Sequence, residues 1–332
     1  MKLKSTLIAV AFLFVFMTLQ AQDEEKPGLE VSGSVDTYYK YDFSGMNQLS
    51  TYYGEEQNGI GIGMLDVSLS QAVGKASFVG EVAFGPRAAE SAPGPVQNLY
   101  VDYAFSDLFS ITAGFMATYV GYEVISPVPN FNYSTSYLFS NGPFQNGGIK
   151  GNFHFSDKFG LMVGIFNHFD SYTNDGAPLS FGTQLYVAPV DGMNIYLNLA
   201  SSHYSGEELD LTATWQATDQ FLIGLNVAKR SEGFLLISQD NASLPDFVGV
   251  AGYLDYNFTD VFGLGLRYEN FKENYSDISI NAITLSGNIN AGPLRIIPEI
   301  RMDAGSDDIF TDSDNAPVKS ATQALIAAVY SF

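Results

Sequence analysis

Between Leu29 and Phe43 the chain alternates strictly. Leu29, Val31, Val35, Tyr39, Tyr41 and Phe43 fall on one side of an extended strand, and Glu30, Ser32, Ser34, Asp36, Lys40 and Asp42 on the other. A period of two over this length predicts a long amphipathic strand. Its polar side is too charged for the interior of a small sandwich. The same signature predicts sixteen strands: 29–43, 59–73, 75–85, 97–106, 109–122, 146–156, 158–168, 179–190, 192–204, 207–217, 219–230, 246–258, 261–272, 276–290, 292–304 and 319–332. Most exceed the five or six residues usual in globular sheets and reach the roughly 9–11 that a tilted strand needs to cross a bilayer.

The connections alternate as well. The links 44–58, 86–96, 123–145, 168–178, 231–245 and 305–318 are long and polar. The intervening ones are tight: AVGKA, FSDLFS, FSDKFG, APVDGM, ATDQF, FTDVFG and NAGPL. Short turns at one end and long loops at the other belong to a transmembrane, antiparallel up-and-down all-β barrel of about sixteen strands, with the short turns and both termini in the periplasm. A secreted sandwich, which the composition alone allows, gives no such separation.

Three of the tight turns share a wording, with Phe on both sides of a Ser/Thr-Asp pair: Phe105 and Phe109, Phe155 and Phe159, Phe258 and Phe262. Trp215 and Phe221 bracket ATDQ similarly. Parity puts all eight on the apolar side of their strands, as a lipid-facing aromatic belt at the periplasmic interface. The Ser-Asp pair supplies side chains that hydrogen-bond local backbone in turns.

The first residues set the compartment. Lys2 and Lys4, an apolar run from Leu7 to Leu19 and a small Ala21 read as a signal peptide of residues 1–21, cleaved after Ala21, rather than an anchor helix. Residues 22–332 then form a single barrel domain in the outer membrane of a Gram-negative-type envelope. Removing the two lysines takes the net charge from -21 to -23, which disfavours nucleic acid as a partner. Without cysteine, stability has to come from packing and hydrogen bonds. The last stretch, ALIAAVYSF, carries an apolar stripe that ends on Phe332. It looks like the C-terminal strand that the barrel-assembly machinery reads.

A barrel of this size encloses an aqueous lumen. By parity Asp102, Lys150, Asp255, Arg267, Glu269, Arg295, Glu299 and Arg301 line it, wet and setting the field a solute crosses. The loop Glu123–Gly148 is too long and aromatic for a mere connector. Folded inward, it would place Asn130, Asn132, Ser134, Ser136 and Gln145 as neutral hydrogen-bonding groups at a constriction; the other reading is an extracellular cap. His154, His168 and His203 read as polar wall or rim residues, no GxSxG or HExxH pattern is present, and neither enzyme chemistry nor a cofactor is expected. The acidic loop 303–317 lacks EF-hand spacing and reads as a solvated loop, with calcium binding the alternative.

The run ITAGFMATYVGYEVI (Ile111–Ile125), with Asn130, Ser134, Ser136 and GPFQNGG after it, resembles the OmpL-like outer-membrane β-barrel porin family, beta-barrel porin-2. The matched core is about 40 residues, and the strand plan is compatible with the family along the mature chain. The resemblance implies passive diffusion of small hydrophilic solutes and ions across the outer membrane. The family pattern often has a basic residue after the Gly of the TAG step, Arg between the two serines and His-Thr-Gly near the loop's end. Here Phe115, Thr135 and Gln145-Asn146-Gly147 stand in those places, removing positive groups that an anion preference would use. With Asp36, Lys40, Asp66, Glu81 and Asp210 on the same inward faces, acidic lumen residues outnumber basic ones eight to five, which predicts a mild cation preference. Rival readings are a substrate-specific channel and a closed barrel acting through its loops; a homo-oligomer is compatible with each.

Overall fold

The computed structural model describes residues 28–49, 51–54, 56–174, 176–202, 205–231, 246–274 and 276–332. The leader 1–21, His203 and residues 232–245 of one long link lie outside these. Sixteen antiparallel strands close into a barrel: β1 (Glu30–Asp42), β2 (Gly59–Val73), β3 (Ala76–Phe84), β4 (Val96–Ser106), β5 (Phe109–Ala117), β6 (Gln145–Ser156), β7 (Phe159–Phe166), β8 (Ser180–Val187), β9 (Met193–Ser202), β10 (Gly206–Thr218), β11 (Phe221–Ser231), β12 (Phe247–Asn257), β13 (Phe262–Glu273), β14 (Ser279–Ala291), β15 (Leu294–Gly305) and β16 (Ser320–Ser331). Each pairs with its sequence neighbours. The last closes on the first with Val35 opposite Tyr330 and Asp42 opposite Gln323. Closure leaves no unpaired edge, which is how a sheet satisfies its backbone polar groups in lipid. No helix of the described residues is long and apolar enough to cross a membrane.

The alternation sorts residues as expected, but inside out relative to a soluble protein. On β1, Val35 and Tyr39 are 45% and 40% exposed while Asp36 and Lys40 are buried. The outer wall continues with Ile62, Leu99, Val101, Ile149, Leu209, Leu254 and Ile300, all exposed. A soluble monomer rarely shows a contiguous apolar patch above a few hundred Å²; this surface runs round the barrel.

The repeated turn has a geometric result. Its two Phe rings stack across the hairpin on the outer surface: Phe105 on Phe109 at 5.7 Å, Phe155 on Phe159 at 5.3 Å, and Phe258 on Phe262 at 5.7 Å. In the first two hairpins the register shifts at the turn (Ser106 opposite Phe109, Ser156 opposite Phe159). The regular register before the shift (Ala104 opposite Ser110, His154 opposite Gly160) already sets the two Phe of each turn across from each other on one face. Trp215 and Phe221 are also on the outer face, Phe221 against Tyr256 at 6.2 Å.

Two departures from the expected strands bear on the site. The strand expected over 109–122 ends at Ala117, because the chain turns into the barrel from Thr118 onward. The link 86–96 holds a short helix, α1 (Pro86–Ser91), with Pro in its first turn. In the acidic loop, Asp312 Oδ1 accepts the backbone N–H groups of Asp314 and Ala316, each at 2.9 Å, so this carboxylate stabilises a turn.

Candidate functional site

Residues 118–144 connect β5 to β6, yet their side chains bond to the wall of β13, β14, β15 and β1. In a closed ring of sixteen strands β13 lies diametrically opposite β5. The loop therefore crosses the lumen.

Carboxylates hold it by its own backbone. Glu299 accepts the N–H groups of Tyr133 and Ser134 at 2.8 and 3.2 Å. Glu269 accepts those of Tyr137 and Leu138, both at 2.8 Å. Glu123 accepts Ser136 N and Oγ at 2.7 and 2.6 Å. Asp170, from the β7–β8 loop, accepts Phe144 N and Gln145 N at 2.8 and 2.7 Å. Consecutive N–H groups presented to an anion form strong, charge-assisted bonds. They also satisfy backbone that a lumen-crossing loop would otherwise bury unpaired. Ser136 in addition caps α2 (Tyr137–Asn141), accepting from Phe139 N.

Two arginines hold the carbonyls. Arg267 pairs with Glu123 at 2.5 Å and donates to Ser134 O and Thr135 O at 2.6 and 3.2 Å. Arg301 pairs with Asp303 at 2.8 Å and donates to Thr135 O at 2.7 Å. A third, Arg87 on α1, donates to Ile125 O and Tyr133 O and lies between the rings of Tyr53 and Tyr133, 4.3 and 4.7 Å from their centroids. Tyr133 and Tyr137 donate their hydroxyls to Asp36 and Asp303 at 2.5 and 2.7 Å. Burial first, with the carboxylates adding to it, raises both phenols, against the opposing pull of Arg87 on Tyr133 and of Arg301 on Tyr137. Burial also pushes the Asp170 carboxyl up to about 6, against the opposing pull of its two backbone donors.

The wall is shaped to receive the loop. A Cβ on Gly224 would meet the Tyr122 hydroxyl at 2.3 Å, and one on Gly265 would meet the Phe131 ring at 2.2 Å. Tyr122 then stacks on Tyr253 with centroids 4.1 Å apart. Glycine on these strands is room for a ring, a close approach that any side chain would block.

Among the polar residues expected at a constriction, Asn132 reaches Ser286 Oγ at 2.7 Å, and Ser134 and Ser136 sit in the arginine–carboxylate cluster as described. Asn130 closes a local turn on Val124 O at 2.7 Å. Gln145 opens β6 rather than the loop, is buried, and donates to Gln97 at 3.0 Å. The charges expected to be wet divide in two. Arg267, Glu269 and Arg301 are wholly buried and Glu299 nearly so. They are on the inner wall, but they anchor the loop instead of facing water, because the loop lies on them. Asp102, Lys150, Asp255 and Arg295 line two cavities of the lumen. One, about 560 Å³, lies against β1–β6; the other, about 580 Å³, lies between the loop and β8–β12, with Arg295 of β15 at its margin. Arg295 also donates to Pro127 O.

A closed sixteen-strand barrel with a loop pinned across its bore is the architecture of a membrane channel. The profile of the OmpL-like beta-barrel porin-2 family matches residues 28–332. The chain belongs to that family. Solved structures agree on the fold. The Acinetobacter baumannii outer membrane channel DcaP superposes with a TM-score of 0.61 at 11% identity, over 92% of this chain and 97% of that one. Salmonella typhi OmpF in complex with daunomycin gives 0.62 at 13%, over 92% and 97%. The trimer form of Vibrio cholerae OmpT, an outer membrane protein, gives 0.58 at 16%, over 92% and 99%. A search of curated proteins finds no match. The protein is an outer-membrane porin.

Proposed function

We propose that this porin passes small hydrophilic solutes and ions by passive diffusion, through a lumen narrowed by Glu123–Gly148, and catalyses no reaction. The observation that carries the reading is the buried clamp of Arg267, Arg301, Glu269 and Glu299 on residues 133–138. A loop serving only as an external cap has no use for charged groups on the opposite wall. The tight turns and both termini face the periplasm, which places the paired Phe rings and Trp215 among lipid headgroups at that interface. The leader is cleaved after Ala21, and the assembly machinery reads the strand that ends at Phe332. The exposed apolar wall also suits a homo-oligomer.

Single-channel recording in planar bilayers tests the reading. Stepwise, ohmic conductance in KCl is expected. A folded barrel that inserts yet never conducts would overturn it in favour of a closed barrel acting through its loops.

A further inference from the structure

The cavity bounded by the loop, β8–β12 and Arg295 of β15 carries an unusual pair of charges. Three acidic or basic side chains line it: Glu123, Asp255 and Arg295. Glu123 is neutralised by Arg267. Asp255 is only 9% exposed, its Oδ1 has no hydrogen-bond partner, and no cation among the described residues pairs with it. Arg295 gives one N–H to a carbonyl and likewise meets no carboxylate among them. A buried ionised group without a counter-charge is costly. One acid and one base left open in the same cavity therefore call for a ligand with both charges. A purely cationic solute would meet Arg295, and a purely anionic one Asp255.

The spacing limits the ligand's length. Along the ladder Asp255 faces Gly265, Gly265 faces Ser286 and Ser286 faces Glu299, with Arg295 four residues further along β15. Three strand spacings of about 4.8 Å and four residues at about 3.3 Å put the two backbone positions roughly 20 Å apart along the wall. The wall's curvature and the inward reach of both side chains shorten the gap between the charged groups. A single amino acid is too short for this, whereas an extended chain covers about 3.3–3.6 Å per residue. The Phe131 ring lies over Gly265 of β13, between the two strands that carry the charges, and Asn257 and Thr214 line the same cavity; they suit peptide groups and small apolar side chains.

We propose that this cavity binds zwitterionic peptides of roughly three to five residues, with the terminal ammonium on Asp255 and the terminal carboxylate on Arg295. This rests on the porin reading and names a solute class for it.

The test uses the full mature chain folded in detergent, with tetraalanine as probe. Equilibrium dialysis should show saturable binding, weakened at least about tenfold when the peptide is N-acetylated or C-amidated, since a lost charge pair of about 1.4 kcal/mol is tenfold. Asp255→Asn should abolish the penalty for acetylation alone, and Arg295→Gln the penalty for amidation alone. Absence of saturable binding, or equal binding of doubly capped peptide to the unmodified chain, overturns the proposal without any variant. Conductance without peptide binding sinks this inference and leaves the porin reading intact; peptide binding without conductance does the reverse.

Discussion

Arg267→Leu isolates the strongest joint between loop and wall. The guanidinium is wholly buried and makes five contacts, to Glu123, Ser134 O, Ser134 Oγ, Thr135 O and Thr284 Oγ1. Leucine fills much of the volume but leaves the Glu123 carboxylate without its cation and Ser134 O without its guanidinium donor, while Thr135 O keeps the bond from Arg301. Removing one partner of a buried ion pair costs about 3–5 kcal/mol, which is roughly 10²- to 5×10³-fold in the ratio of docked to released loop. The barrel's own hydrogen-bond ladder does not pass through this side chain, so the variant should still fold and keep heat-modifiable mobility on gels. In planar bilayers it should open more widely and flicker as the loop leaves and returns. Adding Glu123→Gln removes the uncompensated charge and should recover part of the quiet state. A folded Arg267→Leu channel with unchanged conductance and noise would refute the reasoning that this pair holds the loop.

Other outcomes follow from the same geometry. Gly224→Val puts a branched side chain where the Tyr122 hydroxyl lies, 2.3 Å from a Cβ, and should displace that end of the loop, read as raised accessibility of the loop to protease. Asp170 has its carboxyl raised to about 6. A folded value above the ordinary one means the docked arrangement takes up a proton more readily and loses stability as pH rises through about 6. Channel flicker should therefore be lower at pH 5 than at pH 7.5, with the step absent in Asp170→Asn. In the loop clamp three guanidiniums (Arg87, Arg267 and Arg301) face six carboxylates (Asp36, Glu123, Asp170, Glu269, Glu299 and Asp303). The reversal potential across a KCl gradient should therefore show mild cation preference, and anion selectivity would contradict it. Phe258→Ser with Phe262→Ser removes one stacked outer pair and should lower stability against urea in lipid vesicles by about 2–4 kcal/mol, from loss of two largely apolar contacts.

The wall was legible in the sequence because strand parity is a local property. The expected strand 59–73 coincides with Gly59–Val73, and FSDKFG sits at a hairpin whose Phe rings stack outside. Parity fails where the chain leaves the wall without losing its alternation. Tyr119 keeps the parity of Phe109, Ile111 and Phe115 while the chain turns inward, so the expected strand 109–122 runs five residues past the observed end at Ala117. Parity also gives a side chain's face but not its partner. Arg267 and Glu123 are 144 positions apart, so nothing near either showed that one would neutralise the other. The same holds for Arg87, which no reading of the link 86–96 singled out. Glycines such as Gly224 and Gly265 read as weak strand positions until the rings that fill their space are in place.

The central claim is that the loop lies across the bore against the far wall. The chain has no cysteine, so Asn132→Cys with Ser286→Cys introduces a single thiol pair, at side chains that are hydrogen-bonded at 2.7 Å. A short bifunctional thiol reagent should join them within one folded chain and leave a channel that conducts quietly, near the level of the unmodified protein. Efficient labelling of both thiols with no crosslink, in a barrel that still conducts, would place the loop elsewhere and contradict the account.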